Sequence, residues 1–294
     1  MHLSSIIRPI RLLFIASLLF ISCEKVIDDI AETSVSAEDA VVAETAIASA
    51  FDIMDDIAST DGRVQKTGTT LLPIGAELVF TDSLFTDGNG VAFYVNFGPY
   101  NANAPVNGLK CADGKFRSGR IDISVSKPYT EVGCVVNAEF PSANSYYVGN
   151  GTFMSQLLGS LLATRSGSET INVEIQGLQI ITREGNISFS SKQDIKRTIG
   201  TGNVGTLGDE FEVTGSGNGI NRRGEPFDVS ITKTLVKRVQ DGCSNTFIIG
   251  EVEVKNQSAT NAMVIDFDPD DDGACDRKVL VTLPSGIKKE IIVD

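Results

Sequence analysis

The chain has 294 residues, 41% hydrophobic and 21% charged, the composition of a folded protein of one or two domains and too apolar for a disordered one. Its one histidine is His2 and it has no tryptophan, so a product lacking the N-terminus has no Ser-His-Asp or Cys-His machinery and no histidine-bearing zinc site. With 38 acidic against 25 basic residues the net charge is −13; such a surface repels phosphates, and no nucleic acid is expected as a partner.

Arg8 and Arg11 precede a ten-residue apolar run, Leu12 to Ile21, that ends at Ser22-Cys23. Ten residues rise only about 15 Å as a helix, half of a roughly 30 Å hydrocarbon core. The run therefore reads as the h-region of a signal peptide over 1–22. A small residue directly before a cysteine at this place resembles a bacterial lipobox. The resemblance implies cleavage before Cys23 and attachment of diacylglycerol and palmitate there. Removing 1–22 takes two arginines and no acid, moving the net charge from −13 to −15, so the membrane would be held by lipid and not by charge. Residues 23–35, with Glu24, Asp28 and Asp29, read as a lipidated tether. They also resemble, loosely, the acidic surface-export signals of Bacteroidota lipoproteins. Outer-membrane attachment is expected, on the cell surface or the periplasmic face.

Over 36–60 the apolar residues Ala40, Ala43, Ile47, Ala50, Phe51, Met54, Ile57 and Ala58 recur at three- and four-residue steps, which predicts an amphipathic helix. Ser36 with Asp39 reads as its capping box and Asp61-Gly62 as its stop. Its apolar face packs on a core or binds a partner. From 63 onwards short β-branched and aromatic runs alternate with Gly, Asn, Asp and Pro, the texture of an antiparallel β protein. Strands are predicted over 77–81, 90–97, 119–125, 134–140, 170–181, 185–191, 211–217, 227–233, 245–255, 262–267, 278–283 and 288–293. Turns fall at 127–130, 256–259 and 284–286. Residues 155–163, Ser-Gln-Leu-Leu-Gly-Ser-Leu-Leu-Ala, read as a short helix or an apolar loop. The expected fold is mainly β, an antiparallel sheet or sandwich-like domain over 63–294 with one N-terminal helix. A weak internal repeat relates 95–125 to 265–283, each a strand, a loop, a cysteine near a basic residue, and a strand.

Beside Cys23, four cysteines remain, an even number suited to an oxidising compartment. A hairpin folded about 256–259 puts Cys243 opposite residue 272, within three residues of Cys275, so Cys243–Cys275 is the favoured disulfide. Cys111–Cys134 follows by exclusion, although the hairpin about 127–130 does not bring 111 opposite 134. Asp268-Pro269-Asp270-Asp271-Asp272-Gly273 fits the head of a calcium loop, with Asp268, Asp270 and Asp272 as ligands and Asp276 as a helper. The twelfth position is Val279 where such loops carry Glu. A solvated acidic turn is the competing reading, so calcium is the one alternative to having no cofactor.

Other features carry less chemistry. The Gly-rich stretches 200–205 and 215–219 do not join a strand to a helix and are not phosphate cradles. Arg222, Arg223, Lys233, Lys237 and Arg238 form a basic strip, read as a solvated strand edge or as an anionic-glycan site. Asp82-Ser83-Leu84 resembles a short O-glycosylation acceptor of Bacteroidota envelopes. No pair of carboxylates is singled out for hydrolysis. A glycan-binding face would rest on Tyr94, Tyr100, Tyr129, Tyr146 and Tyr147, of which Tyr129 and the 146–147 pair lie in turn-like contexts.

The segment Phe97-Gly98, Gly108, Cys111-Ala112-Asp113-Gly114-Lys115-Phe116-Arg117-Ser118-Gly119-Arg120-Ile121, the step from Cys243 to Gly250 and Glu251, and Gly273-Ala274-Cys275-Asp276 together resemble a group of outer-membrane and surface lipoproteins of the Bacteroidota. That group is β-rich with an N-terminal helix and has no assigned activity, so the resemblance implies location and fold and transfers no catalytic residue. Where it tends to have a Gly-rich loop before the last cysteine, this chain has Asp268 to Asp272. The expected role is that of a non-enzymatic envelope interaction module, anchored to the membrane by lipid, with a protein or a glycan as partner; the alternative is a glycan- or nutrient-binding surface lipoprotein.

Overall fold

The computed structural model describes the backbone of residues 10–62, 70–200, 205–243 and 246–293, with side chains from Ser34 onwards. Cys23 and the signal and tether side chains lie outside the described residues. Residues 1–35 and 36–294 form separate compact units; the second is described here.

Helix α1 spans Ile10–Ala58. The backbone is thus already helical before Ser36, and the expected capping box is not formed. The Ser36 hydroxyl instead accepts a bond from Asn221 Nδ2 at 2.9 Å. The C-terminal stop falls where expected: the amides of Asp61 and Gly62 bond back to Ala58 and Ile57, and Gly62 takes φ +73°, a backbone that favours glycine.

All strands are antiparallel and form one continuous sheet. Glu77–Asp82 (β1), Val91–Asn96 (β2), Arg120–Val125 (β5) and Val135–Phe140 (β6) make its first part. The short strands Leu109–Lys110 (β3), Phe116–Ser118 (β4) and Tyr146–Gly149 (β7) branch from it. Five long strands follow: Met154–Arg165 (β8), Thr170–Ile181 (β9), Asn186–Ile199 (β10), Glu210–Ile220 (β11) and Pro226–Arg238 (β12). Ile249–Asn256 (β13), Met263–Asp266 (β14), Lys278–Thr282 (β15) and Lys288–Ile292 (β16) complete it. From β8 to β16 each strand pairs with the next in sequence, an up-and-down meander.

Strict alternation decides which face is inside. In β10, Ile187, Phe189, Ser191, Gln193 and Ile195 are buried while Lys192, Asp194 and Lys196 are exposed; in β12, exposed Asp228 and Ser230 alternate with buried Phe227 and Val229. The outward positions of these two strands are therefore largely polar. The segment expected as helix or loop, 155–163, is strand β8. Its leucine doublets hide the alternation because Leu157 and Leu161 point in while Leu162 is 39% exposed, and Gly159 at φ +123° carries a register shift in the pairing with β9. In β11 the glycines at 217 and 219 have their role too. A Cβ at either would press on the rings of Phe189 and Phe227, which stack 6.1 Å apart. Neighbouring aromatic rings thus cover the Gly-rich strand.

From Ser36 onwards the sheet encloses the helix. Between Ser36 and Ala58 no residue is exposed, and only Glu38, Val42 and Ala48 are half-buried. Side chains from β4, β10, β12, β16, the β5–β6 turn and the β11–β12 turn all reach the helix with hydrogen bonds or ion pairs. The apolar stripe expected on one face is buried, as Phe51, Met54 and Ile57 show, but so is the opposite, acidic face.

Candidate functional site

The enclosed acidic face organises the interior. Asp39, Glu44, Asp52, Asp55 and Asp56 are all buried on the helix, and isolated buried carboxylates cost several kcal/mol each unless paired. The sheet supplies the partners. Lys237 of β12 pairs with Asp52. Arg197 of β10 bridges Asp55 at 2.5 Å and Asp209 at 3.1 Å, and the Tyr129 hydroxyl also donates to Asp55. Asp56 accepts from the Thr70 hydroxyl (2.7 Å) and from the amides of Leu71 (2.9 Å) and Thr206 (3.1 Å). Arg222 holds Glu38, Asp39 and Glu184. Glu44 has no cation; it accepts from Gln193 Nε2 at 2.6 Å, and burial pushes its carboxyl up to about 7. Asp209 is likewise pushed up to about 7 by burial, against the opposing pull of Arg197.

A second cluster grows from the β3–β4 hairpin. Arg117 grips Asp113 with two bonds, 2.9 and 2.6 Å, both side chains fully sealed from solvent. Its guanidinium also donates to Ser49 Oγ of the helix (3.0 Å) and to the Tyr146 hydroxyl (3.1 Å). The paired Arg117 outweighs burial and lowers the Asp113 carboxyl. The hairpin also carries Lys115, 5% exposed, and among the described residues no acceptor stands within hydrogen-bond reach of its ammonium group. Burial, then the neighbouring Lys237, bring it down to about 7.

Lys115 opens onto a cavity of about 580 Å³ between α1, the start of β8, the β9–β10 turn and β16. Val41, Val42, Ala46, Val148, Met154 and Ile187 give it apolar walls. Arg222, Glu38, Glu184 and Lys289 ring one part, where Lys289 bonds Glu38 at 2.7 Å. Thr45, also in the lining, has a buried hydroxyl without a partner among the described residues. An apolar hollow of this size with a few convergent polar groups has the form of a small-molecule site.

No family model, curated protein or solved structure matches the chain.

Of the residues singled out in the sequence, Cys243 and Cys275 are joined, their Cα atoms 4.7 Å apart. The β13–β14 register pairs Glu251 with Asp266, which brings Cys243 near residue 274, beside its partner. Cys111 and Cys134 are not joined, a correction to the expectation by exclusion; both are free and buried. The Cys111 thiol faces the Leu109 carbonyl inside the β3–β4 hairpin, and the Cys134 thiol faces the Lys127 carbonyl across the β5–β6 turn (3.2 Å), so two different hairpins hold them.

The four aspartates of the acidic loop do not converge. Asp268 accepts from the amides of Asp272 and Gly273 (3.0 and 3.1 Å), Asp272 from that of Ala274, and Asp270 and Asp276 both pair with Lys278. Among the described residues no group of three or more acidic, Cys or His side chains is arranged to hold a metal ion.

The basic strip is not one surface. Arg222 and Lys237 point inward to the helix, whereas Lys233 is exposed and pairs with Glu251. The tyrosines do not form an open platform either. Tyr129 and Tyr146 are buried, Tyr100 and Tyr147 stack on each other at 4.0 Å, and Arg120 lies over the ring of Tyr94. As binding residues, Lys115 and Thr45 are not among the candidates that the sequence offers. A signal for the lysine does stand in the sequence: Asp113, Lys115 and Arg117 alternate, which puts three charged groups on one face of a hairpin.

Proposed function

We propose that this chain is a lipid-anchored lipoprotein of the outer membrane whose β domain is a non-catalytic binding module, and that the cavity beside α1 is where it binds. The observation that carries the binding reading is the apolar hollow of about 580 Å³, set in an interior where most other polar groups are already paired. Most of the buried carboxylates are engaged, Asp52, Asp55, Asp113 and Asp209 in ion pairs and Asp56 in four hydrogen bonds, while Glu44 has a single hydrogen bond from Gln193. The anchor rests on the lipobox-like Ser22-Cys23 after the apolar run. The polar outward positions of β10 and β12 support a domain standing in water and held by its lipid.

Two measurements test the reading. Feeding cells an alkyne-tagged fatty acid is expected to label the chain and to leave Cys23→Ser unlabelled; equal labelling of the variant removes the anchor. Mass spectrometry of the gently purified chain is expected to find a small molecule retained by the wild type and lost from Ala46→Phe, which fills the cavity. Identical spectra for the two proteins would remove the binding site.

A further inference from the structure

The cavity's interior end is electrically unbalanced. Lys115 is faced by Asp113 and Arg117 from its own hairpin, by Asp52 from α1 and by Lys237 from β12. Both of those carboxylates already have a cation, Asp113 in Arg117 and Asp52, through Oδ2, in Lys237, while Asp52 Oδ1 has no hydrogen-bond partner among the described residues. The cluster thus holds three basic groups against two carboxylates, and the one left over is Lys115, the one that lines the cavity. The other titratable groups of the lining are Glu38, Asp39, Arg183, Glu184, Arg222, Lys289 and Glu290. Of these, Glu38, Asp39 and Glu184 share Arg222, and Glu38 also holds Lys289. Thr45 stands one turn of helix from Ser49, the residue that bonds Arg117, and its hydroxyl has no partner among the described residues. Apolar walls, a surplus buried cation and an idle hydroxyl are complementary to an apolar anion.

We infer that the cavity takes a hydrocarbon molecule bearing a single carboxylate, with the carboxylate on Lys115 and the hydrocarbon part against Val41, Val42, Ala46, Met154 and Ile187. This rests on the binding reading of the cavity given above and adds the ligand's chemical class. A carboxylate brought to Lys115 neutralises the surplus charge and keeps the amine protonated, so binding is coupled to proton uptake once the pH passes about 7.

The test is calorimetric titration of the full chain in nanodiscs, with empty nanodiscs as blank, using decanoate and its uncharged analogue decanol. Decanoate is expected to saturate one site at pH 6 and to bind at least tenfold more tightly than decanol. Its affinity is expected to weaken about tenfold per pH unit above 7. Lys115→Met is expected to bring decanoate down to the affinity of decanol and to abolish the pH dependence; if that variant does not fold, the wild-type pH series decides. Decanoate and decanol binding equally and without pH dependence would overturn the role of Lys115 while leaving the cavity as a binding site. Absence of saturable binding of either compound would overturn the cavity reading itself.

Discussion

Arg197, from strand β10, reaches Asp55 in the last turns of α1 at 2.5 Å, and 142 residues separate them in the chain. The same guanidinium holds Asp209, so one sheet cation secures two carboxylates that burial would otherwise make costly. Replacing Arg197 by Met is expected to destabilise the fold by about 3–5 kcal/mol, since it strands buried charge. Urea unfolding measures this. A loss below about 1 kcal/mol would mean that the pair is solvated and unimportant.

Glu44 makes stability depend on pH. Its carboxyl titrates near 4.5 when unfolded and at about 7 when folded, so the folded state binds the proton more tightly. That contribution is fully present below pH 4.5, declines as pH rises through 7, and is absent above. Glu44→Gln keeps the partner Gln193 and removes the titration. It is expected to change little at pH 4.5 and to stabilise the protein at pH 8 by an amount on the order of 3 kcal/mol. Melting curves of both proteins across that range are the check, and parallel curves would refute the assignment.

The thiols divide into two classes. Alkylation in denaturant without reductant, followed by peptide mapping, is expected to label Cys111 and Cys134 and to spare Cys243 and Cys275. Cys243→Ala is expected to cost about 2–4 kcal/mol by freeing the closed loop in the unfolded chain. Protection of Cys111 and Cys134 would show that they pair after all.

The acidic loop behaves as a turn held by its own side chains. Asp268→Ala removes an acceptor for two amides and is expected to cost about 1–2 kcal/mol. Millimolar calcium is expected to leave the melting temperature where chelator leaves it. A site saturated at a hundredfold its dissociation constant would instead add about 2.7 kcal/mol.

Much of the sheet was legible because its information is local. Strand 170–181 has the bounds expected from its β-branched texture between turn residues, and the turn at 256–259 is enough to bring Cys243 beside Cys275, because hairpin register is set by neighbours in sequence. Strand β8 was not legible, because its leucines occupy both faces and a glycine shifts the register midway. Cys111 and Cys134 were paired by elimination, which carries no geometry, and each stayed in its own hairpin.

The sequence by itself determined the β texture, the helix with its stop at Asp61-Gly62, the acidic balance and the Cys243–Cys275 link, all of which follow from periodicity, turn chemistry and charge over short spans. Only the tertiary structure decided that the helix from Ser36 to Ala58 would be enclosed on every side. An acidic helix face normally lies in water, and it can be buried here because Arg197, Arg222 and Lys237 arrive from strands and turns more than 140 residues away. The same closure left Lys115 inside without a carboxylate of its own. Charge balance in a folded interior is set by which groups meet in space, and no window of sequence contains that sum.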